Sequence, residues 1–210
     1  NWEQITILFA YAKCMKYINH VKNSEIYPLP SLMLHLLILS LTISASSREI
    51  KDNKNGAESA GSSSFFTCLI IGMPGTSKSK AVEIYKSYHM NKKNKKHDYF
   101  ITTYLCSRTS DSNSLLAQFM NGARFIKDNS VMIGQRQVES KKAIVILEEV
   151  GLANYNPSRP LKILHPLCDK GVEITKDGST EYCKVIPVQL SNYAIDFANM
   201  NRGFLVCAGL

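Results

Sequence analysis

Residues 72–79 have the composition and spacing of a loop that binds phosphate. They read GMPGTSKS and lie between an apolar run at residues 65–71 and a segment of helical character at 81–85. Glycine lets the main chain fold around an oxyanion with successive N–H groups pointing inward, and the following helix directs the positive end of its dipole at the same point. We expect phosphate to bind against Gly72, Pro74, Gly75, Thr76, Ser77, Lys78 and Ser79.

Three residues of this loop decide how well it fits that role. Lys78 would reach the β- and γ-phosphates of a nucleotide, and the hydroxyl of Ser79 would bind Mg²⁺. Ser77 departs from the pattern G-x-x-x-x-G-K-[ST], which has glycine at its position. A side chain there would crowd the phosphate unless the main chain keeps a negative φ. The alternative interpretation of the loop is a Gly/Ser/Pro turn that merely precedes a helix.

Two adjacent acids, Glu148 and Glu149, follow the apolar run at residues 143–147. A continuous β-branched run is typical of a strand buried in a parallel sheet, and ligands bind at the carboxyl ends of such strands. Because unpaired buried charge is costly, a metal ion is the expected partner of these acids. We assign Glu148 to the water shell of Mg²⁺ and Glu149 to polarising an attacking water. The alternative is a strand that simply ends in solvent.

Two further candidates lie nearer the end of the sequence. Residues 184–192 predict another strand, in which Pro187 indicates a bulge or an unpaired N–H. Asn192 at its end would hold the water against the γ-phosphate, although a helix cap by Ser191 or Asn192 is the alternative. Arg202 follows a short helical pattern and would stabilise charge on a neighbouring subunit's γ-phosphate. Its alternative role is that of a cation favoured by a helix C-terminus.

The elements around these residues predict one α/β domain. Residues 99–105 are rich in β-formers and are expected to be the second strand, and 114–126 are expected to form a helix. A polar connection is expected at 127–140. A further helix is expected to start at residues 156–158. Residues 171–183 predict a hairpin inserted before the strand that ends at Asn192.

The first 64 residues are organised differently. Apolar residues recur at helical spacing through residues 2–22, which predicts an amphipathic helix. Residues 32–43 are almost wholly apolar but fall short of the roughly 20 residues that cross a bilayer, so we expect a buried helix and no membrane span. We therefore assign 1–43 to a helical extension, 44–64 to a flexible linker and 65–210 to the α/β core.

Charge and cysteine usage limit the classes of partner. The formal charge is +8, but Lys92, Lys93, Lys95 and Lys96 form one cluster, which predicts a solvated loop without an interleaved aromatic to stack on bases. We therefore expect no nucleic-acid partner. The six cysteines are scattered without C-x-x-C spacing, which favours reduced thiols and a cytoplasmic location.

The order of phosphate loop, acidic strand, polar-tipped strand and late arginine resembles the AAA+ ATPases. Segments 72–79, 147–153, 160–167 and 200–203 more narrowly resemble the mysterin family of giant ubiquitin ligases, which has a dynein-like AAA+ core and shares the serine at Ser77. The resemblance covers about residues 65–210. It implies a P-loop NTPase fold, a three-layer sandwich with a five-stranded parallel sheet. It also implies ATP and Mg²⁺ as ligands, and neighbouring AAA+ modules of the same ring as partners.

The resemblance leaves the extent of activity open. Similar proteins carry Asp where Glu148 stands and hydrolyse ATP in only some of their modules. A module that binds ATP without turnover is therefore the alternative to a hydrolase, and a nucleic-acid-dependent P-loop NTPase is a third interpretation. Ubiquitin transfer in the family depends on a zinc-binding RING outside the ATPase core, so we expect contact with the ubiquitin machinery only through a longer parent protein.

The ends of the chain add one expectation. The sequence begins without methionine and stops just after the predicted fifth strand, where AAA+ ATPases continue into a helical lid. We therefore expect a piece of a longer protein that lacks its lid and has weak ATP affinity on its own.

Overall fold

The computed structural model describes residues 12, 15–17, 19, 30–45, 67–90, 99–128, 131–133, 136–139, 141–176, 179–200 and 204–208. The strands are β1 (Cys68–Gly72), β2 (Tyr99–Leu105), β3 (Val131–Ile133), β4 (Arg136–Glu139), β5 (Lys142–Glu148), β6 (Val172–Lys176), β7 (Ser179–Cys183), β8 (Val185–Ser191) and β9 (Phe204–Ala208). The helices are α1 (Pro30–Ala45), α2 (Lys78–Met90), α3 (Ser112–Asp128), α4 (Val150–Asn154), α5 (Leu164–Asp169) and α6 (Phe197–Met200), with a 3₁₀ turn at Pro160–Ile163.

Five strands form one parallel sheet in the order β2-β5-β8-β1-β9. From β1 the chain crosses to the far edge at β2, returns through β5 and β8, and then places β9 on the other side of β1. The strand order therefore reverses beside β1, which is where open parallel sheets bind ligands at the carboxyl ends of their strands. The predicted five-stranded parallel α/β fold is confirmed.

Alternate side chains of the buried strands supply two separate cores. In β1, Cys68 and Ile70 pack in the core formed with α1 and α2, whereas Leu69 and Ile71 pack in the core formed with α3, α4 and α5. This division follows from the two-residue period of a β-strand. The sheet is covered on both faces, which explains why its central strands are continuously apolar.

The N-terminal part agrees with the predicted helices where it is described. Residues 12, 15–17 and 19 are helical, and the remainder of the predicted helix at 2–22 lies outside the described residues. Helix α1 packs on α2 and β1 and runs two residues past the predicted boundary at 43. The rest of the predicted linker, 46–64, lies outside the described residues, as does the lysine cluster. In the part of the chain that the structure covers, no helix combines the length and apolar character that crossing a bilayer requires.

Two local predictions need correction, and the alternatives at Pro187 can be distinguished. There is no bulge, because this residue lies opposite Val145 of β5 without a shift of register. Pairing of β1 with β8 begins only at Val188, which agrees with the other alternative, a position left unpaired on that side. The polar connection at 127–140 contains the short antiparallel pair β3–β4. The helix expected from 156–158 begins later, because the Asn156 side chain accepts hydrogen bonds from Ser158 and forms a turn before the 3₁₀ segment.

The predicted hairpin is present. Strands β6 and β7 pair antiparallel, from Val172 opposite Cys183 to Lys176 opposite Ser179. The two residues of its turn lie outside the described part of the chain.

Candidate nucleotide site

A cleft of about 420 Å³ opens at the carboxyl edge of the sheet, beside the point where the strand order reverses. It is lined by Pro74, Gly75, Thr76, Ser77, Lys78, Ser79, Lys80, Glu149, Leu190, Ser191 and Asn192. The lining therefore comes from the loop after β1, the start of α2, and the ends of β5 and β8. Parallel strands bring these segments to the same edge of the sheet.

The phosphate loop is a tight turn between β1 and α2. The hydroxyl of Thr76 donates to the carbonyl of Met73 at 2.9 Å, and the Thr76 main-chain N–H approaches the same oxygen at 3.4 Å. Gly75 has φ 85°, a conformation that glycine adopts without steric cost. These contacts hold the main chain of the loop in a tight turn.

Ser77 has a positive φ. We expected that its side chain would leave room for phosphate only at a negative φ. Its φ is 64°, in the left-handed region where the usual pattern has glycine. The reason is local, because α2 starts at the next residue and the Ala81 N–H donates to the Ser77 carbonyl at 3.0 Å. This left-handed conformation lowers the stability of the folded chain by about 1 kcal/mol when the residue has a Cβ.

Lys78 is the first residue of α2 and is only 7% exposed. Its Nζ donates to the carbonyl of Gly72, to the carbonyl of Met73 at 2.9 Å and to the hydroxyl of Thr76 at 3.3 Å. Burial lowers the pKa of Lys78, and the negative charge of Glu149 acts in the opposite direction. A cation at a helix N-terminus is unfavourable by itself. An anion bound in this cleft would offset both the cost of burying the Lys78 charge and its unfavourable interaction with the helix dipole.

Glu149 and Asn192 are joined directly. Glu149 follows β5 in a left-handed conformation (φ 56°) and starts α4, while Asn192 follows the neighbouring strand β8. The Asn192 Nδ2 donates to both carboxylate oxygens of Glu149, at 2.8 and 2.9 Å. The amide therefore fixes the orientation of the carboxylate at the mouth of the cleft.

The turn after β8 has its own support. The Ser191 hydroxyl donates to the Tyr193 carbonyl at 2.6 Å and accepts from the Tyr193 N–H at 3.1 Å. Gly151 of α4 packs against it so closely that a Cβ would lie 2.7 Å from the Ser191 Oγ. The first turn of α6 is capped by Asp196, which accepts from the Ala198 N–H at 2.7 Å. The alternative in which Ser191 or Asn192 caps this helix is therefore wrong.

The structure brings most, but not all, of the candidate residues together. Lys78, Ser79, Glu149 and Asn192 line one cleft. Glu148 ends β5 opposite Leu105, its carbonyl accepts the Cys106 N–H at 2.8 Å, and it is not among the lining residues. Gly72 contributes its carbonyl to Lys78 without lining the cleft. Arg202 lies outside the described residues.

Sequence reasoning did not select three of the lining residues, namely Lys80, Leu190 and Ser191. Leu190 and Ser191 precede Asn192 at the end of β8, so their place in the cleft follows once Asn192 is placed there. Lys80 carries no comparable signal in the sequence. Its Nζ forms an exposed ion pair with Glu83 at 2.9 Å, an interaction of the kind common along a helix surface.

The residues present fit a magnesium ion. Ser79, which carries a hydroxyl, and Glu149, which carries a carboxylate, are both among the lining residues. Hard oxygen donors of this kind suit Mg²⁺, which retains several waters and needs few protein ligands. Glu148 is not among the lining residues, so its role in the water shell of the ion stays a prediction.

Residues 62–209 match the family model of the RNF213 AAA domain. The chain belongs to this family. The resemblance to mysterin, which is RNF213, and the AAA fold that it implied are thereby confirmed. The described sheet, with its loop after β1, is the fold expected of an RNF213 AAA domain.

Curated relatives agree with this assignment. The chain is 35% identical over 144 residues to the E3 ubiquitin-protein ligase rnf213-beta of Danio rerio, and this alignment covers 66% of the chain. It is 35% and 33% identical over 148 residues to the E3 ubiquitin-protein ligase RNF213 of Mus musculus and of Homo sapiens, with 67% of the chain covered in each case. The chain spans 3% of the length of each relative.

Proposed function

We propose that this RNF213-type AAA domain binds ATP and hydrolyses it. The observation that carries the proposal is the convergence of Lys78, Glu149 and Asn192 on one cleft, where the phosphate loop meets the ends of β5 and β8. A nucleotide hydrolase needs a phosphate cradle and a group that activates water on opposite sides of the same triphosphate.

The loop side supplies the binding energy. Main-chain N–H groups of the loop and the N-terminal end of α2 would surround the phosphates, and Lys78 would donate to the β- and γ-phosphates. The Lys78 Nζ already donates to two carbonyls and to the Thr76 hydroxyl, so contact with phosphate would exchange at least one of these bonds for a bond to a phosphate oxygen. Ser79 and Glu149, together with Glu148 as predicted, would hold Mg²⁺, which would supply positive charge to offset that of the phosphates.

The acidic side supplies the chemistry. Glu149 would polarise the attacking water by accepting its proton, and Asn192 would hold both the carboxylate and that water in line with the γ-phosphate. Because one amide nitrogen contacts both carboxylate oxygens, the orientation of Glu149 depends on Asn192. Arg202 of one module would stabilise charge on the nucleotide of the next.

Substitutions on the two sides test the proposal. Glu149→Gln should keep ATP affinity within about twofold and lower phosphate release by at least ~100-fold, because general-base catalysis contributes on that order. Lys78→Ala should instead weaken ATP binding itself. Glu173→Gln, the same change on the exposed face of β6, is the matched control and should alter neither. ATP binding can be followed by NMR titration, which tolerates weak affinity, and phosphate release should be measured in the longer protein as well.

A second candidate is a module that binds ATP as a structural brace without turnover. Two observations favour it, namely the absence of Glu148 from the cleft lining and the left-handed φ of Ser77. ATP that stays intact in the longer protein during prolonged incubation, with Glu149→Gln indistinguishable from the unaltered chain, would support this candidate over the hydrolase.

The wider setting is part of the proposal. The relatives are named as E3 ubiquitin-protein ligases, and this chain corresponds to a small part of each. We place the module in the ATPase ring of a cytoplasmic protein of that kind, beside other AAA+ modules, with ubiquitin transfer carried out elsewhere in it. No observation on the described residues favours the nucleic-acid-dependent alternative, and phosphate release that stays constant on adding DNA or RNA would count against it.

A further inference from the structure

Helix α1 buries a histidine that lacks a well-formed hydrogen bond. His35 is 0% exposed, and neither ring nitrogen meets a partner in hydrogen-bonding geometry among the described residues. Its neighbours on the helix, Leu32, Leu36 and Leu39, are buried and apolar. A buried polar group left unpaired is costly, so leucine would be the better residue here if packing were the only requirement.

The surroundings of His35 connect it with the phosphate loop. Helix α1 packs on α2, whose first residue is Lys78. The pKa of His35 is lowered first by burial and then by the positive charge of Lys78, whereas the nearby main chain of Ser77 acts in the opposite direction. His35 therefore lies beside the two residues at which the loop becomes α2, although it is far from both in the sequence.

The chemistry of the two groups is complementary. A neutral imidazole carries one N–H donor and one acceptor nitrogen. The Ser77 carbonyl already accepts from the Ala81 N–H and retains a second lone pair. A bond from the ring N–H of His35 to the Ser77 carbonyl would use this second lone pair.

We infer that His35 is a positioning residue of the phosphate loop, through which helix α1 becomes part of the nucleotide site. Its ring N–H donates to the main chain of Ser77 when phosphate is bound and fixes the position of that residue. The loop then keeps one arrangement against the phosphate. The inference rests on the proposed binding of ATP and extends it to a helix that precedes β1 in the sequence.

A histidine that only fills the core makes different predictions from a positioning residue. Removing a core histidine would change the free energy of unfolding and leave nucleotide binding alone. Removing a positioning residue would weaken nucleotide binding while the fold keeps or gains stability, because an unpaired buried polar group is lost. ATP affinity should therefore fall in a variant whose free energy of unfolding does not.

The test compares His35→Leu with Ser40→Ala, which removes another buried polar group from the same helix. We expect His35→Leu to weaken binding of ATP with Mg²⁺ at least ~5-fold, about the effect of one hydrogen bond, without lowering the free energy of unfolding. Ser40→Ala should leave ATP affinity unchanged. Unchanged affinity in His35→Leu, in a protein where Lys78→Ala does weaken binding, would overturn the inference alone. Unchanged affinity in Lys78→Ala as well would overturn the proposed function.

Two further measurements keep the test independent of how well His35→Leu folds. His35→Asn and His35→Gln each restore an N–H donor, at the positions of Nδ1 and Nε2, so one of them should recover ATP affinity and identify the donating nitrogen. In the unaltered chain, the ¹⁵N signals of the His35 ring should shift when ATP and Mg²⁺ are added. A lack of recovery in both variants would contradict the inference, and so would ring signals that do not move at saturating ATP.

Discussion

The phosphate loop and the acidic side of the cleft face the same space but are built in opposite ways. The loop is one continuous segment, and its turn is held by contacts within it, such as those of Thr76 and Lys78 with Met73. The acidic side joins Glu149 and Asn192, which are 43 positions apart and meet because β5 and β8 are neighbours. A local motif can thus form its geometry alone, whereas the contact between Glu149 and Asn192 depends on the pairing of β5 with β8.

Among substitutions that leave Glu149 itself in place, the largest expected effect comes from removing Asn192. Asn192→Ala should lower phosphate release by ~10- to 100-fold, because Glu149 loses the donor that orients it, while ATP affinity changes little. Asn121→Ala, on the exposed face of α3, is the matched control. A variant that loses ATP affinity as strongly as turnover would show that the two sides are not separable.

Gly151 offers a structural way to disturb the acidic side while Glu149 and Asn192 stay unaltered. A Cβ at this position would lie 2.7 Å from the Ser191 Oγ, so Gly151→Ala should lower the free energy of unfolding by ~1–3 kcal/mol and also lower turnover. Gly122→Ala is the control, since its Cβ would approach Ala143 and Val185, neither of which lines the cleft. Denaturant titration and phosphate release measure the two effects. Equal turnover in both variants would show that packing at Gly151 does not affect the site.

The loop side can be tested through the strain at Ser77. Ser77→Gly should raise the free energy of unfolding by about 1 kcal/mol, because glycine adopts a positive φ without steric cost. Arg159→Gly, at a residue with φ 47° that does not line the cleft, is the control. Both variants should be stabilised, and only Ser77→Gly should change ATP affinity. A destabilised Ser77→Gly would mean that the serine side chain supports the loop.

The smallest expected effect is a pH dependence carried by His35. The pKa of His35 is lowered in the folded chain, mainly by burial and then by Lys78, so the unfolded chain takes up a proton first as the pH falls. The free energy of unfolding should therefore fall as the pH drops below about 6.5, the ordinary pKa of histidine, and this contribution should be constant above it. His35→Leu should show a shallower acid slope. An identical slope in both proteins would contradict this assignment.

Features formed by one continuous segment can be predicted from the sequence. Features that depend on contacts between distant segments cannot. Local patterns identify the loop, the strand β2 and the acidic pair. They do not predict the hydrogen bond from Asn192 to Glu149, because each residue marks only the end of its own strand. The conformation of Ser77 differs from the expectation because it depends on where α2 begins. The place of His35 beside the loop has no local signal, since an apolar helix with one histidine is typical of an ordinary core.

The most direct test of a shared site is paramagnetic broadening by Mn²⁺ bound in place of Mg²⁺ with ATP. If the loop and the acidic side hold one metal–nucleotide complex, the amide signal of Ser79 and the side-chain amide signal of Asn192 should both broaden, while signals of the β6–β7 hairpin stay sharp. Broadening at Ser79 with an unaffected Asn192 would contradict the account.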